Sequence, residues 1–90
     1  MKEKSNDFFE VLQKGHPNQV QEQYLKYVPK CIRQLMRDFS IEESDAIGFC
    51  DDAFIIAQQQ IQIKGNKPIS NPGGYLYRIA WRLAAKSNNE

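Results

Sequence analysis

The sequence is poor in the residues from which most active sites are built. It has one histidine, His16, and two cysteines, Cys31 and Cys50, at no CxxC or metal-ligand spacing. No metal site is expected from that set. His16 precedes Pro17 in a predicted connector, which makes it a solvent-facing loop histidine and not a catalytic base. No apolar run approaches the ~20 residues of a membrane span, and the opening MKEKSND has no apolar segment behind it to form a secretory leader. A reduced, cytoplasmic protein without a membrane partner is the expectation. Charge of one sign is also lacking. The formal net charge is +1, so nucleic-acid binding must rest on local clustering and not on the total. There are no repeats, no paired catalytic acids and no nucleophile with a neighbouring base. Gly73 and Gly74 sit in no Walker or dinucleotide pattern. The chain is expected not to be an enzyme, to have no catalytic residues and to need no cofactor.

What remains is an ordinary globular composition, 41% hydrophobic and 26% charged, which excludes disorder as the default state. Ninety residues make one domain, residues 1–90, with a modest core. Four helical patterns occur and no convincing strand. The fold class is therefore all-α, a compact bundle of about four helices over residues 7–86.

The first pattern runs from about Asp7 to Lys14, with Phe8, Phe9, Val11 and Leu12 apolar and Gly15 as its stop. The second starts after Pro17 and Asn18. Val20, Tyr24, Tyr27, Cys31, Leu35 and Phe39 recur at spacings of three and four. Pro29 interrupts it at a cost of about 3 kcal/mol or a kink, yet the periodicity continues. The third pattern opens on Ser40, Ile41, Glu42 and Glu43, which reads as a capping box. At ~100° per residue, Ala46, Phe49, Cys50, Ala53, Phe54, Ala57 and Ile61 share its inner side. Ser44, Gly48, Asp51, Ile55, Gln58, Gln59 and Gln62 lie opposite. A Gly- and Pro-punctuated break, residues 64–70, follows. Asn71 as N-cap and Pro72 in the first turn then start the fourth helix. Leu76, Ile79, Ala80 and Leu83 form its apolar side. Tyr77, Arg78, Trp81, Arg82 and Ala85 fall on the remaining arc.

Two faces invite a functional reading. Aromatics beside arginines suit single-stranded nucleic acid, which needs flat surfaces for its bases and cations for its phosphates. They equally suit a protein interface. The structural alternative is that Trp81 or Tyr77 packs under the first helix with the arginines merely solvated. On the third helix, Asp51, Asp52 and the glutamines surround one apolar side chain, Ile55, and an arginine-rich partner helix would match that face. The structural alternative there is a wet helix face. Cys31 and Cys50 fall on core sides and are expected to behave as small buried hydrophobes.

The residues also resemble a known family. Residues 71–80, NPGGYLYRIA, closely resemble the "NPxxWLYRIARN" segment in region 2 of bacterial RNA polymerase sigma factors of the extracytoplasmic-function type. Residues 44–54, SDAIGFCDDAF, align without gaps to that family's "EDAEDLVQEVF". Residues 23–30, QYLKYVPK, are similar to its "LYERYYPRL", whose proline matches Pro29. The resemblance spans about Phe8 to Lys86. It implies a transcription initiation module with two surfaces. One docks on the beta-prime clamp helices of core RNA polymerase and here comprises Asp45, Gly48, Asp51, Asp52, Ile55, Gln58 and Gln59. The other captures the melted non-template strand of the minus-ten promoter element. Here it comprises Lys64, Asn66, Lys67, Ser70, Asn71, Tyr75, Tyr77, Arg78, Trp81 and Arg82.

The sequence departs from the family where its Asp and Gln in "DLVQ" become Gly48 and Asp51, and where the second residue after "RIA" is Arg82. Polymerase docking and base choice are the properties those departures touch. The chain stops at Glu90, so region 4, the minus-thirty-five-binding domain, is expected to be absent. The chain then corresponds either to a truncated form or to a stand-alone region 2. Two rival functions are an interaction protein that binds polymerase or an anti-sigma factor without touching DNA, and a plasmid replication accessory protein, since "NPxGYL" also resembles short segments in some of those.

Overall fold

The computed structural model describes residues 7–64 and 71–88. Within them lie four helices and no strand: α1 (Asp7–Lys14), α2 (Pro17–Phe39), α3 (Glu43–Lys64) and α4 (Pro72–Asn88). The chain is thus an all-α bundle. Helix α1 ends where Gly15 takes φ 77°, and the Gly15 N–H closes on the Val11 carbonyl at 2.9 Å. Only glycine adopts that conformation without strain. Pro17 occupies the first turn of α2, where its missing N–H costs nothing.

Helix α2 runs unbroken through Pro29. The proline removes one backbone bond, but Val28, Cys31 and Leu35 on the same helix are buried. Burying such side chains returns roughly 1.5–3 kcal/mol each, enough to hold the helix through the defect.

The capping box expected at Ser40 does not form. Ser40 ends α2 instead, in the left-handed region at φ 54°, with its N–H on the Met36 carbonyl at 2.8 Å. The first backbone bond of α3 runs from the Ala46 N–H to the Glu42 carbonyl. A left-handed Ser40 cannot also serve as an extended N-cap.

The core is built from Phe8 and Leu12 of α1, Val28, Cys31 and Leu35 of α2, and Ala46, Cys50, Ala53, Phe54, Ala57 and Ile61 of α3. Leu76, Ala80 and Ala84 of α4 complete it. Phe8 meets Tyr27 edge-on at 5.4 Å and Phe54 at 6.3 Å, and Tyr24 meets Phe54 at 5.4 Å. Edge-to-face geometry of this kind adds to area burial. Ile79 and Leu83, expected to be buried, are half-buried at the rim of the core, while Ala80 and Ala84 are fully buried. Small residues let α4 approach its neighbours closely, so alanines take the innermost row and the larger aliphatics flank it.

Candidate nucleic-acid and partner surfaces

Helix α4 begins at a complete cap. The Asn71 Oδ1 accepts from the Gly74 N–H at 3.1 Å, and the Asn71 carbonyl accepts from the Tyr75 N–H at 2.9 Å. A Cβ at position 74 would lie 2.8 Å from the Asn71 side-chain nitrogen, so any other residue there would have to displace the Asn71 amide.

Beyond the cap, two tyrosines flank the outer arc and tether α4 to different neighbours. The Tyr77 hydroxyl donates to the Asp38 carboxylate near the end of α2. The Tyr75 hydroxyl donates to Gln60 Oε1 on α3 at 2.9 Å. Burial raises the pKa of both, and for Tyr77 the Asp38 hydrogen bond and charge add to it. Both hydroxyls, expected among the DNA contacts, are therefore engaged within the protein.

Arg78, Trp81 and Arg82 lie between the tethers and are exposed. Trp81 keeps 46% of its surface accessible while its ring rests on Phe39 at 5.6 Å, tilted by 59°. The structural alternative put Trp81 or Tyr77 under α1; Trp81 meets Phe39 and Tyr77 meets Asp38, both at the end of α2. Gly74, Tyr77, Arg78, Trp81 and Arg82 line an open groove of about 510 Å³.

A second cavity of about 440 Å³ shares Gly74 and Tyr77 and continues to Lys26, Lys30 and Asn71. The two lysines were not among the residues the sequence singled out. They lie one helical turn apart on the exposed side of α2, but no sequence pattern shows that this side faces the start of α4. Of the remaining expected DNA contacts, Asn66, Lys67 and Ser70 lie outside the described residues. Lys64 closes α3.

The outer face of α3 divides in two. Asp45, Gly48, Asp52, Ile55 and Gln59 are exposed, Ile55 at 53%. Asp51 and Gln58 are half-buried and also make contacts within the bundle. The Tyr24 hydroxyl donates to the Asp51 carboxylate at 2.5 Å, which ties α2 to α3. That bond, then burial and the Asp51 charge, push the Tyr24 pKa up to about 12. Gln58 and Gln62 both point their amides at the Leu12 carbonyl, at 3.5 and 3.3 Å. They supply donors to an end of α1 whose last carbonyls have no partner within the helix.

His16 is exposed and makes no side-chain cap. Among the described residues no three His, Cys, Asp or Glu side chains are placed to hold a metal ion, and no helix is long and apolar enough to cross a membrane. Compared with known proteins, the chain matches no family model, no curated protein and no solved structure.

Proposed function

We propose that this domain is a transcription initiation module of the sigma region 2 kind. On this reading it holds melted promoter DNA across α4 and docks on core RNA polymerase through the exposed part of α3. The observation that carries the reading is the placement of Trp81. A tryptophan left half open, lining one groove with two exposed arginines, offers one stacking surface and two phosphate partners. Lys26 and Lys30 extend the positive charge past the start of α4. They give a strand a second stretch of cation to follow despite the near-neutral total.

On the polymerase side, the reading now rests on Asp45, Asp52, Ile55 and Gln59. An exposed aliphatic ringed by carboxylates and amides matches a partner helix carrying arginine. The cytoplasm is where such a module works. Its partners are core polymerase and the single-stranded minus-ten element, with an anti-sigma factor as a further ligand for the same α3 face.

Co-purification with core polymerase tests the docking half. Ile55→Glu and Asp52→Arg are expected to abolish it. Both positions are exposed, so each should leave stability within about 0.5 kcal/mol of the parent. Retention of polymerase by both variants at parental levels would remove α3 as the docking face.

A further inference from the structure

Cys31 of α2 and Cys50 of α3 are both buried, and their sulfurs lie 3.2 Å apart, with the Cys50 thiol donating to the Cys31 sulfur. The two positions are nineteen residues apart in sequence and come together because α2 and α3 fold back on one another. They differ in access. Cys31 lines the 440 Å³ cavity between α2 and the start of α4, whereas Cys50 is not among the residues lining it.

We propose that Cys31 and Cys50 form a modification site, at which a peroxide converts the pair into one intramolecular disulfide joining α2 to α3. Cys31 is the sulfur that reacts first, because it borders the cavity and receives a hydrogen bond. The Cys50 hydrogen bond lowers the Cys31 pKa against the opposing effect of burial, and the same bond, followed by burial, raises that of Cys50. The thiolate is the reactive form.

The Cys31 thiolate attacks one peroxide oxygen. An S–O bond forms, the O–O bond breaks, and the other oxygen leaves with a proton as water, or as an alcohol from an alkyl peroxide. Cys31 is then a sulfenic acid. The Cys50 sulfur attacks the Cys31 sulfur. The S–S bond forms, the S–O bond breaks, and the hydroxyl leaves as water with the proton from the Cys50 thiol. Two thiols and one peroxide thus give one disulfide, one water and one further water or alcohol. Two electrons pass from sulfur to oxygen, and a dithiol reductant reverses the change. The sulfurs must close to about 2.05 Å, a small movement from their present contact.

The purified protein is treated with hydrogen peroxide, alkylated, and mapped by mass spectrometry without reduction. The expected product is monomeric, lacks two hydrogen atoms and contains a linked Cys31–Cys50 peptide. Its melting temperature is raised, because the bridge constrains the unfolded chain, and dithiothreitol restores the original value. In Cys50→Ser, whose hydroxyl can still donate to the Cys31 sulfur, dimedone should trap a sulfenic acid on Cys31; in Cys31→Ala, Cys50 should stay unlabelled. Two thiols that remain free, a disulfide only between molecules, or labelling of Cys50 ahead of Cys31 would each overturn the proposal. The mapping of the parent protein decides the matter even if a variant does not fold.

Discussion

Asn71 and Tyr24 show how single side chains set the surfaces of this domain. Asn71 fixes the first turn of α4 by accepting from Gly74. Asn71→Ala should cost about 1 kcal/mol, the usual loss for an N-cap amide, seen as a lower urea midpoint; an unchanged midpoint would show that the cap is dispensable. Tyr24 joins α2 to α3 through Asp51, and its pKa moves from 10.0 to about 12. The folded state then keeps a proton that the unfolded chain releases. Its contribution to stability is complete below pH 10 and is lost as pH rises toward 12. Urea midpoints across that window should fall less in Tyr24→Phe than in the parent. Tyr75 and Tyr77, also raised, keep some of the slope in the variant. Equal slopes in the two proteins would contradict the Tyr24–Asp51 bond. The Asn71 cap was legible in the sequence because capping is local. The Asp51 and Gln58 contacts were not, because Tyr24 and Leu12 lie far from them in the chain and only the packing of the bundle brings them together.

At the scale of the helices, the bounds of α1 followed from its apolar pairs and Gly15, and α2 survived Pro29 as its periodicity implied. The junction of α2 and α3 did not follow. Ser40 and Glu43 have capping-box spacing, but Ser40 is taken up by the left-handed closure of α2, and Ile41 beyond it packs against the core. Local spacing cannot tell a serine that ends one helix from a serine that begins the next. The rotation of α4 was legible only to within one row, since a hydrophobicity pattern ranks Ile79 and Leu83 above Ala84 whereas close helix packing favours the alanine. Gly48 stands inside α3 on an exposed position, and a Cβ there would meet nothing within 4 Å. Gly48→Ala should therefore raise stability by roughly 0.5–1 kcal/mol, the cost of glycine inside a helix. Thermal melts that show no gain would imply a close contact at that position.

For the whole molecule, the bundle gives α4 an outer arc that its own tyrosines hold in place. Tyr77 ties it to α2 and Tyr75 to α3, so Arg78, Trp81 and Arg82 stand on a braced support. A braced support limits the ordering cost on binding. The central claim is that this arc receives single-stranded DNA. Its most direct test is fluorescence anisotropy of a labelled fork-junction DNA carrying an unpaired minus-ten segment, titrated with the domain bound to core polymerase over a salt series. The parent is compared with the Trp81→Ala/Arg82→Ala double variant. Loss of one stacking aromatic should weaken binding by ~1–3 kcal/mol. Loss of one arginine should reduce the slope of log affinity against log salt by about one phosphate. Equal affinity and an equal salt slope for the two proteins would contradict the account and leave Trp81 as a packing residue on Phe39.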